Sequence, residues 1–536
     1  MLRPVRNILI YGGVTMTKKP VFFVAFQEQD NLGIGYISSV LIQAGFSIKI
    51  IDFRSGKEEI LTQMIRYQPL VIGFSIIFQY HIYDFKDLIH YLREHGVNGH
   101  FCAGGHYPSL RHKDLLTMIP QLDSIVLFEG EYTFLELVQS IYAGKEWKHL
   151  KGIAYSENGV HIANPLRPLE EDLDKFPVPV RRPLREYVLG KKYATLLAGR
   201  GCFYNCSFCS IREFYSRPPG PLKRMRRPET VVKEMELLYR QLNATVFMFQ
   251  DDDFPVAGKR GKEWITRFCE ELNKRGLNEK VLWKINCRPD EVEPDGFKLM
   301  KNSGLFLVYL GIESGTDDGL RLMNKKMKAE TSMKAVTLLK ELDIQYDFGF
   351  MLFDPSSTYQ SITDNLDFLE RLCGDGSSPI TYCKMLPYAE TQIERKLKKE
   401  GRLIGKSGFK NYEFYDLSLN HFYDFIMDCF RDWITDHEGI LNIARWARYY
   451  SLVYQRYFPT TQRFKDLQKT INAVIAESNL FFIHTLEAII LIFNVPTVGN
   501  YDFKRLFIIK DNVAQKHSQY KIKLNELIRN LEGLVF

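Results

Sequence analysis

The chain has 536 residues, of which 45% are hydrophobic and 25% are charged, and this ordinary globular composition excludes a mainly disordered protein. Its 71 Lys and Arg residues exceed its 64 Asp and Glu residues by seven, a mild bias that neither requires nor excludes a nucleic-acid partner. Nine cysteines are too few for a disulfide scaffold, and the length predicts about three or four domains.

The start of the chain lacks the pattern of a secretion signal. The apolar run at residues 7–11 is too short for a signal-peptide core, and we expect the natural start at Met16. The longest apolar stretch, residues 480–495, falls short of the roughly 18–20 residues of a membrane span. It predicts a buried helix, with a membrane-surface helix as the alternative. We therefore expect a cytoplasmic protein with no membrane partner.

Strand and helix patterns alternate through residues 1–160. Apolar runs predict buried strands at 21–26, 47–52, 70–76, 99–103 and 123–128, with helical segments between them. The alternation predicts a doubly wound parallel sheet, whose ligands bind at the carboxyl ends of its strands. The candidate residues there are Asn31, Gly33, Ser75, Gly104, Gly105, Glu129, Gly130 and Glu131. Tight turns are an alternative explanation for these glycines.

A proline-rich stretch follows this domain. Residues 161–190 include Pro165, Pro168, Pro177, Pro179 and Pro183. Such a run cannot hold a helix, so it predicts an extended linker to a second domain that starts near residue 191.

Three cysteines form the most specific motif of the chain. Cys202, Cys206 and Cys209 have the spacing C-x3-C-x2-C directly after a strand-like run. Thiolates suit zinc or an iron–sulfur cluster. A closed zinc site needs a fourth ligand, and the sequence between Cys209 and Cys269 contains no Cys or His. The motif therefore favours a [4Fe–4S] cluster with one open iron over zinc or three buried thiols.

With Phe208 in the aromatic position before the last cysteine, this motif resembles that of the radical S-adenosylmethionine (SAM) superfamily. In that family the open iron binds SAM, and an electron from the cluster cleaves it to a 5′-deoxyadenosyl radical. The resemblance covers about residues 190–400. It implies that Cys202, Cys206 and Cys209 are the catalytic cluster ligands and that Phe208 lies at the cofactor.

The segments after the motif are similar to the partial barrel of that family. Strands are predicted at 195–198, 245–250, 281–286, 305–311, 345–352 and 380–384, with helices such as 228–242 and 261–275. They predict a partial (β/α)6 TIM-type barrel over residues 191–400, with its chemistry at the strands' carboxyl ends. The resemblance implies SAM contacts from Asp251 or Asp252, from Arg288 and from Glu313. Helix caps and ion pairs are the alternative roles.

A doubly wound domain before such a barrel resembles the cobalamin-binding subgroup of the superfamily. The resemblance implies cobalamin contacts from Gly104, Gly105 and Glu129, with Asn31 and Ser75 at neighbouring strand ends. The D-x-H-x-x-G pattern that supplies an axial histidine in other cobalamin proteins is absent from the sequence. A domain that has kept the fold and lost cobalamin is therefore an alternative.

The implied function is a cobalamin-dependent radical enzyme that abstracts hydrogen from a small metabolite, most commonly for C-methylation. It would draw electrons from a donor such as flavodoxin or ferredoxin. One alternative is a radical enzyme without cobalamin that dehydrates, epimerises or rearranges its substrate. For that reaction Cys287, Tyr382, Cys383 and Tyr388 are candidate hydrogen or electron donors. An iron–sulfur carrier or sensor is disfavoured, because it needs no polar strand ends.

Residues 401–536 are rich in aromatic residues and poor in Gly and Pro. Apolar residues at helical spacing in 419–435 and 441–457 predict an all-α domain over the open side of the barrel. Arg445, Arg448, Arg456 and Arg463 indicate either a solvated helix face or a surface for an anionic substrate or nucleic acid. Transfer-RNA methylthiotransferases carry further N-terminal cysteines and a C-terminal β-domain, which this sequence lacks, so a nucleic-acid partner is disfavoured.

Overall fold

The computed structural model describes residues 19–27, 30–495, 499 and 501–535. The expected start at Met16 lies outside these residues. The described chain forms an N-terminal sheet domain, an irregular linker, a partial barrel and a helical C-terminal region.

The N-terminal domain is a doubly wound sheet, as predicted. Its strands are β1 (Val21–Ala25), β2 (Ile48–Asp52), β3 (Val71–Ser75), β4 (His100–Gly104), β5 (Ser124–Val126), β6 (Ile153–Glu157) and β7 (Val160–Ala163). Their order is β2-β1-β3-β4-β5-β6-β7, with β1 to β5 parallel. The antiparallel strands β6 and β7 extend one edge and were not predicted.

Helices cover both faces of this sheet. They are α1 (Leu32–Gln43), α2 (Lys57–Tyr67), α3 (Ile82–Glu94), α4 (His106–Leu110), α5 (His112–Met118) and α6 (Glu131–Tyr142). Phe22 and Val24 of β1 join the cluster that includes residues of α2 and α3, whereas Phe23 joins the cluster of α1 and α6. Burial on both faces explains why these strands read as continuous apolar runs.

The barrel domain contains one large sheet and a small strand pair. Its strands are β8 (Glu186–Val188), β9 (Lys191–Leu196), β10 (Gly199–Gly201), β11 (Lys223–Met225), β12 (Ala244–Phe249), β13 (Leu282–Cys287), β14 (Leu305–Glu313), β15 (Gln345–Phe353) and β16 (Cys383–Lys384). The large sheet has the order β16-β15-β14-β13-β12-β9-β8. Its six strands from β9 to β16 are parallel, which confirms the predicted partial barrel.

The barrel helices alternate with these strands. They are α7 (Ser210–Ser216), α8 (Pro228–Leu242), α9 (Gly258–Lys274), α10 (Pro294–Asn302), α11 (Asp317–Leu322), α12 (Ala329–Glu341), α13 (Tyr359–Cys373) and α14 (Gln392–Lys399). The antiparallel pair of β10 and β11 stands apart from the large sheet and brackets residues 202–222. It was not predicted, because the three residues of β10, Gly199–Gly201, and the three of β11, Lys223–Met225, form no apolar run.

The C-terminal region is helical after a short ribbon. The ribbon consists of β17 (Leu403–Ile404) and β18 (Asn411–Tyr412), and the helices are α15 (Ser418–Thr435), α16 (Ile440–Tyr457), α17 (Gln462–Phe493) and α18 (Phe503–Glu532). The Tyr457 hydroxyl of α16 donates to the carbonyls of Thr245 and Lys280, at 2.9 and 3.1 Å. These contacts place α16 at the amino ends of β12 and β13.

Helix α17 contains most of the apolar stretch at 480–495. Within the described residues it alone is long and apolar enough to cross a membrane, but 56% of its most apolar window is buried inside the protein. A core helix passes the same test of length and composition, so this is weak evidence for a membrane span.

The chain between β7 and β8 is largely irregular, and one of its side chains is fully buried between the domains. The Arg181 guanidinium donates to Asp30 at 3.1 Å and to Glu234 at 2.8 Å, and its side chain is 0% exposed. Glu234 also accepts from Arg226 at 2.7 Å. The linker therefore joins the start of α1 to the barrel helix α8 through buried charge pairs.

Replacing Arg181 tests this junction. We expect Arg181→Ala to lower the free energy of unfolding by about 3–5 kcal/mol, because it leaves buried carboxylates short of a partner. The matched control is Arg240→Ala, which removes a helix-surface pair with Glu236 whose arginine is 69% exposed and should cost about 0.3–0.5 kcal/mol. Urea unfolding measures both. Equal effects of the two variants would contradict the structural role of Arg181.

Candidate active site

The three cysteines lie on a loop that begins directly after β10. Gly201, which precedes Cys202, has φ +80°, and a Cβ atom there would collide with the carbonyl of Leu222. Glycine is therefore required at this position. The loop closes on itself through a hydrogen bond from the N–H of Cys209 to the carbonyl of Cys206 at 3.2 Å. Cys202, Cys206 and Cys209 are all partly buried free thiols.

Three successive acids after β12 hold this loop in place. Asp251 is buried and accepts from the N–H groups of Ala198 and Gly199 at 2.6–3.1 Å. Burial raises its pKa to about 7, against the effect of these backbone donors. The structure thus places the Asp251 carboxylate against the backbone between β9 and β10, and its contact with SAM stays a prediction.

The other two acids reach both sides of the loop. Asp252 accepts from the N–H of Gly201 at 3.0 Å, and Asp253 accepts from Lys223 of β11 at 2.6 Å. Burial raises the pKa of Asp252 to about 6. The acids therefore have partners, as their burial demands, and together they fix the strand pair that carries the cysteines.

Arg288 lies beside the second cysteine. Its guanidinium donates to both carboxylate oxygens of Asp290, at 2.8 and 2.9 Å, and approaches the Cys206 sulfur at 3.7 Å. It also lies over the ring of Tyr204 at 3.9 Å. The Arg288 residue is only 7% exposed, whereas its partner Asp290 is exposed, so the alternative role in an ion pair is present and the contact with SAM stays a prediction.

Glu313 ends β14 in a strained conformation. Its φ is +71°, which is unfavourable for a side chain with a Cβ atom. Its carboxylate lies 3.8 Å from Lys325, and burial raises its pKa against the lowering effect of Lys325 and Arg288. Strain of this kind concentrates at functional sites, which supports the prediction for Glu313 without identifying its ligand.

Burial disfavours the thiolate form of all three cysteines of the loop. Burial raises the pKa of Cys209 to about 12, and it also raises the pKa values of Cys202 and Cys206. They would release protons on binding iron. In the described part of the chain, no group of three or more His, Cys, Asp or Glu side chains forms a cage for a single metal ion. Three thiols that each bind a different iron of one cluster need no such cage.

A cavity of about 660 Å³ lies between the N-terminal sheet and the cysteine-bearing strands. Its volume is in the range of cofactor sites. The predicted residues that it brings together are Asn31, Gly33, Ser75, Gly104, Gly105, Glu129, Gly130, Glu131 and Asp252. Gly199 and Arg200 of β10 line the opposite side. The strand ends of both domains therefore face one space.

Two glycines open this cavity to a ligand. A Cβ atom at Gly33 or Gly104 would meet no neighbour closer than 3.6 Å, so each glycine leaves free space beside its backbone. Gly105 is different, because its φ is +117° and a Cβ atom would meet the Ile76 carbonyl at 2.5 Å. The Asn31 side chain caps α1 by accepting from the N–H of Ile34. The cavity thus lets a ligand approach the backbone closely at Gly33 and Gly104.

Glu129 connects the two domains at the edge of this cavity. It accepts from Arg200 at 3.1 Å and from Arg224 at 2.7 and 2.9 Å. Burial raises its pKa, but the two arginines outweigh burial and hold the pKa below its usual range. We call Glu129, Arg200 and Arg224 the interdomain cluster. Its arginines were not predicted, and they give Glu129 a structural role beside its predicted cobalamin contact.

The remaining candidate residues differ in burial and in their neighbours. Phe208 is partly buried and packs against the barrel core. Cys287 is buried, and Tyr382 is buried against Phe482 with ring centres 4.9 Å apart. Cys383 is exposed at the end of β16. His106 lines the cavity, and burial lowers its pKa to about 4. Sequence analysis missed His106, although it follows Gly104 and Gly105 directly.

Comparisons with known proteins agree with this geometry. The family model for the radical SAM superfamily matches residues 196–369, and that for the B12 binding domain matches residues 18–138. "Uncharacterized methyltransferase PH0819" of Pyrococcus horikoshii is 28% identical over 350 residues, which cover 64% of this chain and 73% of that protein.

A second relative has a different reaction in its name. The anaerobic magnesium-protoporphyrin IX monomethyl ester cyclase of Rubrivivax gelatinosus is 28% identical over 345 residues, covering 62% of this chain. The match spans 60% of the cyclase, which is less than two thirds of its length. The solved structure of the cobalamin-dependent SAM radical enzyme OxsB, with aqua-cobalamin and SAM bound, has a TM-score of 0.69 and 20% identity. The structural match covers 96% of this chain and 80% of the OxsB chain. At 20% identity the match shows a shared fold.

Removing the Asp251 carboxylate tests how the cysteine loop is held. We expect Asp251→Ala to lose at least half of the iron bound after anaerobic reconstitution. The substitution leaves two buried N–H groups without an acceptor, which costs about 1–3 kcal/mol of stability for each group. Asp318→Ala, at an 87% exposed side chain, is the control and should keep its iron. A folded Asp251→Ala protein with full iron content would refute this role.

Proposed function

The central domain of this chain belongs to the radical SAM superfamily and its N-terminal domain to the B12-binding family, and from this premise we propose that the protein is a cobalamin-dependent radical SAM enzyme that methylates a carbon atom of a small molecule. The observation that carries the proposal is the shared cavity. It brings the strand ends of the B12-binding domain against the strands that hold the cysteine motif.

The residues that would hold the cofactors follow from the geometry. Cys202, Cys206 and Cys209 would bind a [4Fe–4S] cluster and leave one iron open. Asp252, Arg288 and Glu313, which lie near the cysteine loop or beside Lys325, would contact SAM. The glycine-lined strand ends of the N-terminal domain would hold cobalamin. When bound, the cluster and SAM supply a 5′-deoxyadenosyl radical for hydrogen abstraction, and cobalamin supplies a carrier for the methyl group.

The protein's own residues organise this chemistry. Arg288, close to the Cys206 sulfur, favours the thiolate form of that cysteine through its positive charge. The acids after β12 hold the loop against the cavity, and the interdomain cluster fixes the separation of the two domains. Substrate would occupy the barrel interior beside β14, where Tyr309 is 37% exposed.

Methylation is the outcome that the relatives favour, because PH0819 and the hopanoid C-3 methylase of Methylococcus capsulatus carry it in their names. Ring formation is the second candidate, since the cyclase is equally similar in sequence. Either reaction needs electrons for the cluster, and we propose a flavodoxin or ferredoxin as donor. Product analysis distinguishes the two, because only methylation adds a labelled methyl group from SAM.

Substitution of one cluster cysteine tests the radical chemistry. We expect Cys206→Ala to form no detectable 5′-deoxyadenosine from SAM under reducing conditions, because the cluster loses a ligand. Cys429→Ala, at a partly buried cysteine of α15, is the control and should keep wild-type activity. Chromatography of the reaction mixture measures the product. Continued 5′-deoxyadenosine formation by Cys206→Ala would defeat the cluster assignment.

Filling the cavity tests cobalamin binding. We expect wild-type protein to retain cobalamin after incubation with hydroxocobalamin, and Gly104→Leu to lose at least nine tenths of it, because the new side chain enters the cavity. Visible absorbance after gel filtration measures the bound fraction. Gly533→Leu, beyond the end of α18, is the matched control. A wild-type protein that stays colourless would favour the reaction types that need no cobalamin.

A further inference from the structure

A layer of polar side chains lies inside the barrel, away from the cysteine loop. The strand register aligns Asn286 of β13 with Tyr309 of β14 and Asp347 of β15. Lys284 lies two residues before Asn286 and donates to the side-chain oxygen of Asn286. The Lys284 Nζ also lies 5.6 Å from the centre of the Tyr309 ring. The exposure of Tyr309 in the middle of a strand shows that open space adjoins this layer.

This layer shares one face of the sheet with the predicted site. A Cβ atom at Gly349 would meet the Tyr309 hydroxyl at 2.9 Å and the Glu313 carboxylate at 3.3 Å, so both side chains lie over the same glycine. Four residues of extended strand separate Tyr309 from Glu313 along β14, which corresponds to about 13 Å of backbone. The polar layer therefore lies deeper in the same barrel interior.

Helix α16 adds positive charge to the layer. Arg448 and Tyr449 follow Arg445 by three and four residues, so both lie on the side of the helix that carries Arg445. Arg448 donates to Asp347 at 2.7 Å and Tyr449 donates to its other oxygen at 2.5 Å. The single carboxylate of the layer thus has two partners from α16.

Arg445 has no such partner. Among the residues that the structure describes, it makes no hydrogen bond or ion pair, and its Nε is buried without an acceptor. Its charge acts on Tyr309, Asp347 and Tyr449, so the guanidinium lies near the polar layer. By contrast, Arg456 donates to the Asn278 carbonyl at the barrel surface, and Arg463 is exposed.

The charges do not balance in this layer. Lys284, Arg445 and Arg448 are basic, and among the described residues Asp347 is the one carboxylate of the layer; it bonds Arg448 directly and acts on Lys284 and Arg445 only through its charge. Asp251 also acts on Lys284, but its oxygens face the backbone of Ala198 and Gly199. A buried N–H group without an acceptor is costly, and an anion from the ligand would supply the acceptor that the buried Arg445 Nε lacks.

We propose that Arg445 and Lys284, with Tyr309 between them, bind an anionic oxygen group of the substrate, either a carboxylate or a phosphate. A guanidinium pairs with both groups through two parallel hydrogen bonds. The group would anchor the substrate deep in the barrel and leave its reacting end toward Glu313 and the cysteine loop. This inference rests on the proposed function only in taking the barrel interior as the substrate site.

The test is calorimetric titration of the reconstituted holoprotein with inorganic phosphate and, separately, with acetate. We expect the wild type to bind at least one of them and Arg445→Ala to weaken that binding at least tenfold. Lys284→Met is the second variant and should weaken it at least threefold. Arg463→Ala, an exposed arginine of α17, is the matched control and should bind as the wild type does. Tighter binding of phosphate would indicate a phosphorylated substrate, and tighter binding of acetate a carboxylate.

Two further readouts separate this inference from the proposed function. Arg445→Ala should keep its cobalamin and its substrate-free 5′-deoxyadenosine formation within twofold of wild type, because Arg445 lies away from the cysteine loop. Wild-type protein that binds neither anion, or variants that bind as tightly as the wild type, would overturn the anion site. A wild type that forms no 5′-deoxyadenosine but shows Arg445-dependent anion binding would overturn the proposed function alone.

Discussion

The buried ion pairs of Glu129 with Arg200 and Arg224 are the constraint on which this structure depends. Glu129 ends the last parallel strand region of the B12-binding domain, and the two arginines lie on the strands that bracket the cysteine loop. Burying three charged groups is costly unless all are paired. The free energy is recovered only when both domains take one relative position, so the cluster sets the geometry between the two cofactor sites.

That geometry explains why one cavity serves both domains. Cobalamin and SAM chemistry must meet at a shared substrate, and the cavity already contains residues from both sets of strand ends. The three acids after β12 add contacts on the barrel side. Each of them bonds a different residue of β10 or β11 or of the backbone before β10. The cysteine loop is thus fixed from the barrel side and the domain side at once.

Local patterns predicted the elements well. The five parallel N-terminal strands, the six barrel strands and the cysteine motif all follow from apolar runs and spacing within a few residues. The antiparallel edge of β6 and β7 was missed because only the first three residues of β6 are apolar and buried, and β7 has no buried residue. The strand predicted at 380–384 is shorter in the structure, where it comprises only Cys383–Lys384.

Contacts between distant residues could not be predicted in this way. Glu129 and Arg224 are 95 positions apart, and Arg448 and Asp347 are 101 apart, so no local pattern relates them. The four C-terminal arginines looked alike in the sequence, yet Arg448 is buried and Arg463 is exposed. A SAM contact from Asp251 or Asp252 stays a prediction, and the structure adds that both carboxylates accept from backbone N–H groups of distant residues. Only the packing of α16 and β12 distinguishes these roles.

The central claim is that cobalamin and the iron–sulfur cluster bind on opposite sides of one cavity. Electron paramagnetic resonance of protein that contains both cob(II)alamin and the reduced cluster tests it most directly, because two unpaired spins at short separation broaden each other's signals. The account predicts dipolar broadening of both signals relative to samples that hold one cofactor each. A spectrum equal to the sum of the two single-cofactor spectra would contradict it.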